Sequence, residues 1–129
     1  MTRTGNTMTI HEMKQTSEWA FAVDVHDFEQ RVIQASYQAP VLVDLWAAWC
    51  SPCIVIAPVL IRLIEEHAGE ILLAKVEVDE GENMKLAGHY RVKGFPTVIL
   101  FDQGEERGRF SGAKPLGFIR EFVAENLKR

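Results

Sequence analysis

Both cysteines of the chain fall in one tetrapeptide, Cys50-Ser51-Pro52-Cys53, and three chemistries use thiols spaced so closely. As a structural staple the bridge would be weak. Closing a loop of four residues is worth roughly 2 kcal/mol, against about 4.7 for a loop of a hundred. As a zinc site the pair is incomplete, because tetrahedral zinc wants four ligands and there is no second CxxC; His67 and His89 lack the spacing of a zinc finger. Those two, with His11 and His26, read as ordinary surface or helix-end residues, and no metal site is expected. The third chemistry is dithiol redox exchange. A cysteine at the start of a helix faces unpaired backbone N–H groups and the positive end of the helix dipole. Together these favour thiolate over thiol by about 0.3–2 kcal/mol. In that arrangement Cys50 is the exposed attacking nucleophile, and Cys53, one turn inside the helix, is buried and resolves the mixed disulfide. Pro52 suits a first helical turn, where a missing N–H costs nothing.

The elements that must position this tetrapeptide follow from hydrophobic patterning. Residues 41–47 (VLVDLWA) form an apolar run interrupted only by Asp44, the pattern of a strand covered on both faces. Residues 51–67 are apolar almost all round and too long for an ordinary strand, which predicts a buried helix containing Pro58 as a kink and ending at Gly69 as its C-cap. Residues 19–23 and 71–78 read as further strands. Asp24 is expected to cap a helix carrying Phe28, Val32 and Ile33, and a short helix is expected over 83–90. Residues 97–101 and 107–110 flank a five-residue link, DQGEE, that suits a hairpin. Residues 115–127 close the chain as an amphipathic helix with Leu116, Ile119, Phe122, Val123 and Leu127 on one face. The order β-α-β-α-β-α-β-β-α implies an α/β fold, a mixed sheet with helices on both faces.

At 129 residues, 47% hydrophobic and 25% charged, the chain is one domain with enough core to need no staple. The longest apolar stretch, 54–61, contains Pro58 and is far below the roughly 18 residues of a membrane span. Residues 1–18 are polar, Thr-rich and carry Glu12 and Glu18; they read as a flexible extension before a domain at 19–129, not as a leader, so a cytoplasmic location is expected. The net charge of −4 argues against nucleic-acid binding. It is unevenly spread: residues 1–90 hold 6 Lys/Arg against 13 Asp/Glu, and residues 91–129 hold 8 against 5. Scattered surface charge explains this, and a partner-steering face is the other reading.

The run VLVDLWAAWCSPC, followed by FPT and by the pair Gly112-Ala113, resembles the thioredoxin family, whose motif is WCGPC after a strand of the VDFWA type. The likeness covers residues 19–129. It implies a central mixed five-stranded sheet flanked by four helices. A lowered thiol pKa in the motif is itself a family property and comes with the resemblance. Position by position, the likeness makes Cys50 and Cys53 the nucleophile and resolving thiol. It makes Asp44 a buried carboxylate that moves the Cys53 proton, and Lys75 its strand partner. Trp49, Ser51 and Pro52 fall at the substrate-facing motif, Pro96 at a cis-proline, and Gly94, Phe95, Gly112 and Ala113 along the substrate groove. Asp44 and Lys75 could instead be a plain core ion pair, and Trp46 reads as core. Two departures stand out: Ser51 replaces the glycine of WCGPC, and the segment 79–96 is about two residues longer than in the shortest thioredoxins, which bears on partner choice.

The resemblance implies a thiol–disulfide oxidoreductase that reduces protein disulfides. It would be a monomer without a bound cofactor, recycled by NADPH through thioredoxin reductase. The alternatives are a peptide-binding or chaperone-like module using the Phe95-Pro96 groove, and a disulfide isomerase or oxidase.

Overall fold

The computed structural model describes residues 17–127; His11 and most of the expected extension lie outside them. Five strands, β1 (Ala20–Ala22), β2 (Val41–Trp46), β3 (Leu72–Glu77), β4 (Thr97–Asp102) and β5 (Glu105–Ser111), form one sheet in the order β1-β3-β2-β4-β5. β1, β3 and β2 run parallel, while β4 is antiparallel to β2 and β5 to β4. β2 is therefore central, and all six of its residues are buried. Four helical segments flank the sheet. α1 is a π-helical stretch (Glu29–Gln34) running into a 3-10 turn (Ala35–Tyr37); α2 spans Ser51–His67, α3 Met84–His89 and α4 Leu116–Asn126.

Strand alternation explains the layering. Val41, Val43 and Leu45 share one core with Phe28, which precedes α1, with Val32 of α1 and with Leu86 and Ala87 of α3. Leu42, Leu73, Val98 and Leu100 share another with Ile56, Leu60, Leu63 and Ile64 of α2 and Ile119 and Val123 of α4. By the same alternation Asp44 and Lys75 fall on the α2 face.

Several local expectations are corrected. Asp24 forms a reciprocal capping box with Asp27, its carboxylate accepting from the N–H groups of His26 and Asp27 and Asp27 accepting from the Asp24 N–H, but the turn it caps precedes α1, which begins only at Glu29. The left-handed residue that ends α2 is Ala68 (φ 49°), with Gly69 (φ 92°) following it. α2 contains Pro58 within its span, as expected. The hairpin link is two residues, Gln103 (φ 55°) and Gly104 (φ 79°), so β4 and β5 extend into the DQGEE segment. Positive φ at both central positions is the tight hairpin turn whose twist matches its strands. The turn is also tied to α1. Buried Ser36 donates to the Ile33 carbonyl and accepts from the Gly104 N–H at 2.8 Å. A Cβ on Gly104 would lie 2.4 Å from the Tyr37 hydroxyl oxygen. Gly104→Ala is therefore expected to cost about 1–2 kcal/mol, read as a lowered urea midpoint.

Candidate active site

The tetrapeptide lies where strand β2 hands over to helix α2. Cys50 is the N-cap residue of α2 in extended conformation (φ −96°, ψ 107°), and Ser51 and Pro52 open the first turn. Cys50 and Cys53 form a disulfide with Cα atoms 5.3 Å apart, well inside the usual range. The Cys53 N–H points at Cys50 Sγ, 3.3 Å away. One of the helix's orphan donors is thus aimed at the sulfur that would carry negative charge after reduction.

Exposure differs from expectation in one respect. Cys53 is fully buried, but Cys50 is only 5% exposed. Its Sγ lies 3.5 Å from the Phe95 carbonyl oxygen, beneath a rim formed by Trp49, whose ring meets Phe95 edge-on at 6.2 Å. Trp49 itself is 67% exposed and donates its indole N–H to the Asp79 carboxylate. A substrate sulfur can therefore reach Cys50 only over a small exposed area.

Residues 94–96 form the wall facing the disulfide, and the Phe95–Pro96 peptide bond is cis. The buried Thr97 hydroxyl donates to the Gly94 carbonyl at 2.6 Å and also meets Ser111 Oγ. The Gly112 N–H donates to the Pro96 carbonyl at 2.9 Å, which carries the β4–β5 ladder one step past Thr97 and Ser111. Gly94, Phe95, Pro96, Gly112 and Ala113 are thus gathered at one end of that strand pair, with the Phe95 carbonyl against Cys50.

Asp44 and Lys75 are register neighbours on β2 and β3, each 1% exposed. Asp44 Oδ1 and Lys75 Nζ have no hydrogen-bond partner. Burial pushes the Asp44 carboxyl up to about 6, and the Lys75 charge opposes this only in part. Burial likewise lowers Lys75, with Asp44 holding it up. A carboxyl in that range exchanges a proton near neutrality. Lys75 Nζ also sits 5.7 Å from the centre of the Trp46 ring. A cavity of about 100 Å³ lined by Val23, Trp46, Lys75, Glu77 and Asn83 opens beside it, roomy enough for water. The solvent side of the pair is thus the lysine.

Sequence reasoning passed over three residues that set this geometry. Asp79 holds Trp49. Thr97 holds the Gly94 carbonyl. Asn83, 3% exposed, accepts from the Val25 N–H and donates to the Glu77 carbonyl, joining the loop after β1 to the end of β3. The only signal for Asn83 in the sequence is an amide at the head of a short helix, which reads as a cap.

The thioredoxin family profile matches residues 20–125. Among similar proteins are thioredoxin C-2 of Corynebacterium nephridii, 38% identical over 78% of this chain and 90% of its own length, and the thioredoxin of Chlorobaculum thiosulfatiphilum, 36% identical over 67% and 79%. Another is the chloroplastic M-type thioredoxin of Spinacia oleracea, 35% identical over 81% of this chain, which spans 56% of the spinach protein's length. The strand order, the four flanking helices and the disulfide at the start of α2 agree with these matches: the chain has the thioredoxin fold and belongs to the thioredoxin family.

Proposed function

We propose that this protein reduces disulfides in other proteins by dithiol–disulfide exchange, Cys50 being the nucleophile and Cys53 the resolving thiol. The observation that carries the reading is the Cys50–Cys53 disulfide at the N-cap of α2, with a backbone N–H directed at Cys50 Sγ. In the reduced protein the Cys50 thiolate attacks one sulfur of a substrate disulfide. A Cys50–substrate bond forms, and the other substrate sulfur leaves as a thiolate and takes up a proton. Cys53 then gives its proton to Asp44 and attacks Cys50 Sγ. The second substrate sulfur departs and the Cys50–Cys53 bond is restored, two electrons having passed to the substrate. Lys75 modulates Asp44 as its charged neighbour. Trp49, Ser51, Pro52, Gly94, Phe95, Pro96, Gly112 and Ala113 form the surface against which an extended substrate segment lies.

No bound cofactor takes part; NADPH, acting through a thioredoxin reductase, returns the dithiol. The scattered placement of the exposed large apolar side chains, Tyr37, Trp49, Val55, Met84 and Phe118 among the described residues, supports a monomer. The family matches and the disulfide favour this reading over a peptide-holding module. In an assay of insulin reduction with NADPH and a bacterial thioredoxin reductase, NADPH consumption should depend on this protein. Absence of turnover with the intact dithiol would overturn the reading, and the potential of the pair against glutathione separates a reductant from an isomerase or oxidase.

A further inference from the structure

Among the described residues, the cations of the fold separate into paired and unpaired groups. Arg107 pairs with Glu105, Arg109 with Glu106 and Arg120 with Glu66; in the rest of the fold Arg31 pairs with Asp27 and Lys85 with Glu82. Lys75 is buried. Among the described residues this leaves Arg62, Arg91, Lys93 and Lys114 with no carboxylate in salt-bridge contact. Arg62 lies on α2, along with Glu65 and Glu66.

The other three lie on the two segments that build the wall beside the disulfide. Arg91 and Lys93 precede Gly94-Phe95-Pro96, and Lys114 follows Gly112-Ala113. The Gly112 N–H to Pro96 carbonyl bond continues the antiparallel register of Thr97 with Ser111, so Lys93 and Lys114 leave the strand pair at the same end. The Phe95 carbonyl, 3.5 Å from Cys50 Sγ, lies two residues from Lys93. On the opposite flank the residue holding Trp49 is a carboxylate, Asp79, followed in sequence by Glu80 and Glu82.

We infer that the groove beside Cys50 selects extended protein segments with acidic residues next to the target cysteine, and that Lys93 and Lys114, with Arg91 behind them, set this preference. The inference rests on the function proposed above and names its substrate class. The net charge of the whole chain is negative, but the field that a segment meets within about one Debye length, roughly 8–10 Å, is that of the nearest charges, cationic on the side of Lys93 and Lys114 and anionic at Asp79 on the other flank. Complementary charge at that range acts on the encounter rate and on register.

The test uses three short disulfide-linked peptides that differ only in the residues flanking the cysteine: glutamate, serine or lysine. Each is reduced by the full-length dithiol protein, and each rate is divided by that with dithiothreitol, which cancels the flank's effect on the disulfide's own reactivity. At low ionic strength the acidic peptide should be preferred over the basic one by roughly tenfold or more, and at 0.5 M salt by less than about twofold. Lys93→Ser combined with Lys114→Ser should bring the low-salt ratio towards one, whereas Arg62→Ser should leave it unchanged. Equal normalised rates, a preference for the basic peptide, or a ratio indifferent to the Lys93 and Lys114 replacements would each overturn the inference. Failure of the protein to reduce even the serine-flanked peptide would instead overturn the oxidoreductase reading.

Discussion

Cys53→Ser is expected to turn the protein into a covalent trap, while Cys50→Ser abolishes exchange. With serine at position 53 the Cys50 thiolate still attacks, but nothing inside the protein expels the bound substrate, so mixed disulfides through Cys50 accumulate. With serine at position 50 the attacking atom is a hydroxyl that stays protonated, and insulin reduction should fall by a factor on the order of 10³ or more. Cys53 does not substitute for it, being fully buried beneath the first turn of α2. Non-reducing electrophoresis with mass analysis of the adducts separates the outcomes. Equal trapping by the two variants would show that the roles of the thiols are not distinct. The small exposure of Cys50 sharpens the expectation: trapped partners should have mobile or extended segments around their cysteines, because a sulfur fixed in a flat surface does not reach a sulfur that is only 5% exposed.

The second large effect concerns Asp44. Its carboxyl titrates at about 6 in the folded protein against an ordinary value of 3.8, so folding favours the neutral acid. Any stability derived from that group is fully present below pH 3.8 and is lost as pH rises through 6. Above that window the ionised, buried carboxylate costs up to about 3 kcal/mol. Asp44→Asn should therefore raise the urea midpoint at pH 8 and flatten the fall in stability between pH 4 and 7. The gain is smaller than the full cost because Lys75 loses its neighbouring negative charge, though burial already drives the lysine towards its neutral form. The same variant should slow resolution of the mixed disulfide by about 10²-fold at pH 7, with the deficit narrowing at higher pH as Cys53 loses its proton unaided. A variant that is no more stable than wild type at pH 8 would refute the burial argument. A resolution rate unchanged at pH 7 would refute the proton transfer while leaving burial intact.

The elements that hold the site were legible because their patterns are extreme. An apolar run broken by one aspartate can be little else than a covered strand, and seventeen nearly all-apolar residues after it are too many for another. The cysteine pair was legible from its placement between them. Elements whose formation depends on distant partners were not. Asp24 and Asp27 bond reciprocally in a turn ahead of α1, whose own start at Glu29 carries no side-chain cap. Gly69 has the type expected at a helix end, yet the helix closes on Ala68, the left-handed turn being shared between the two. The DQGEE link looks like a five-residue loop until Gly104 is seen docked under Tyr37 and bonded to Ser36, a contact across 68 residues of chain. At the site, Thr97 and Asp79 act through individual side-chain hydrogen bonds, which leave no periodic trace in sequence.

Helix α2 contributes residues to both cores. Cys50, Cys53 and Ala57 pack with the core under α1 and α3, while Ile56, Leu60, Leu63 and Ile64 pack with the core under α4. The helix is thus a beam clamped at two supports, and the bond that breaks and re-forms during turnover spans only its tip. Opening that bond removes a constraint on four residues and leaves both clamps in place. A catalyst used over many cycles can in this way change its covalent state without loosening the frame that aims it.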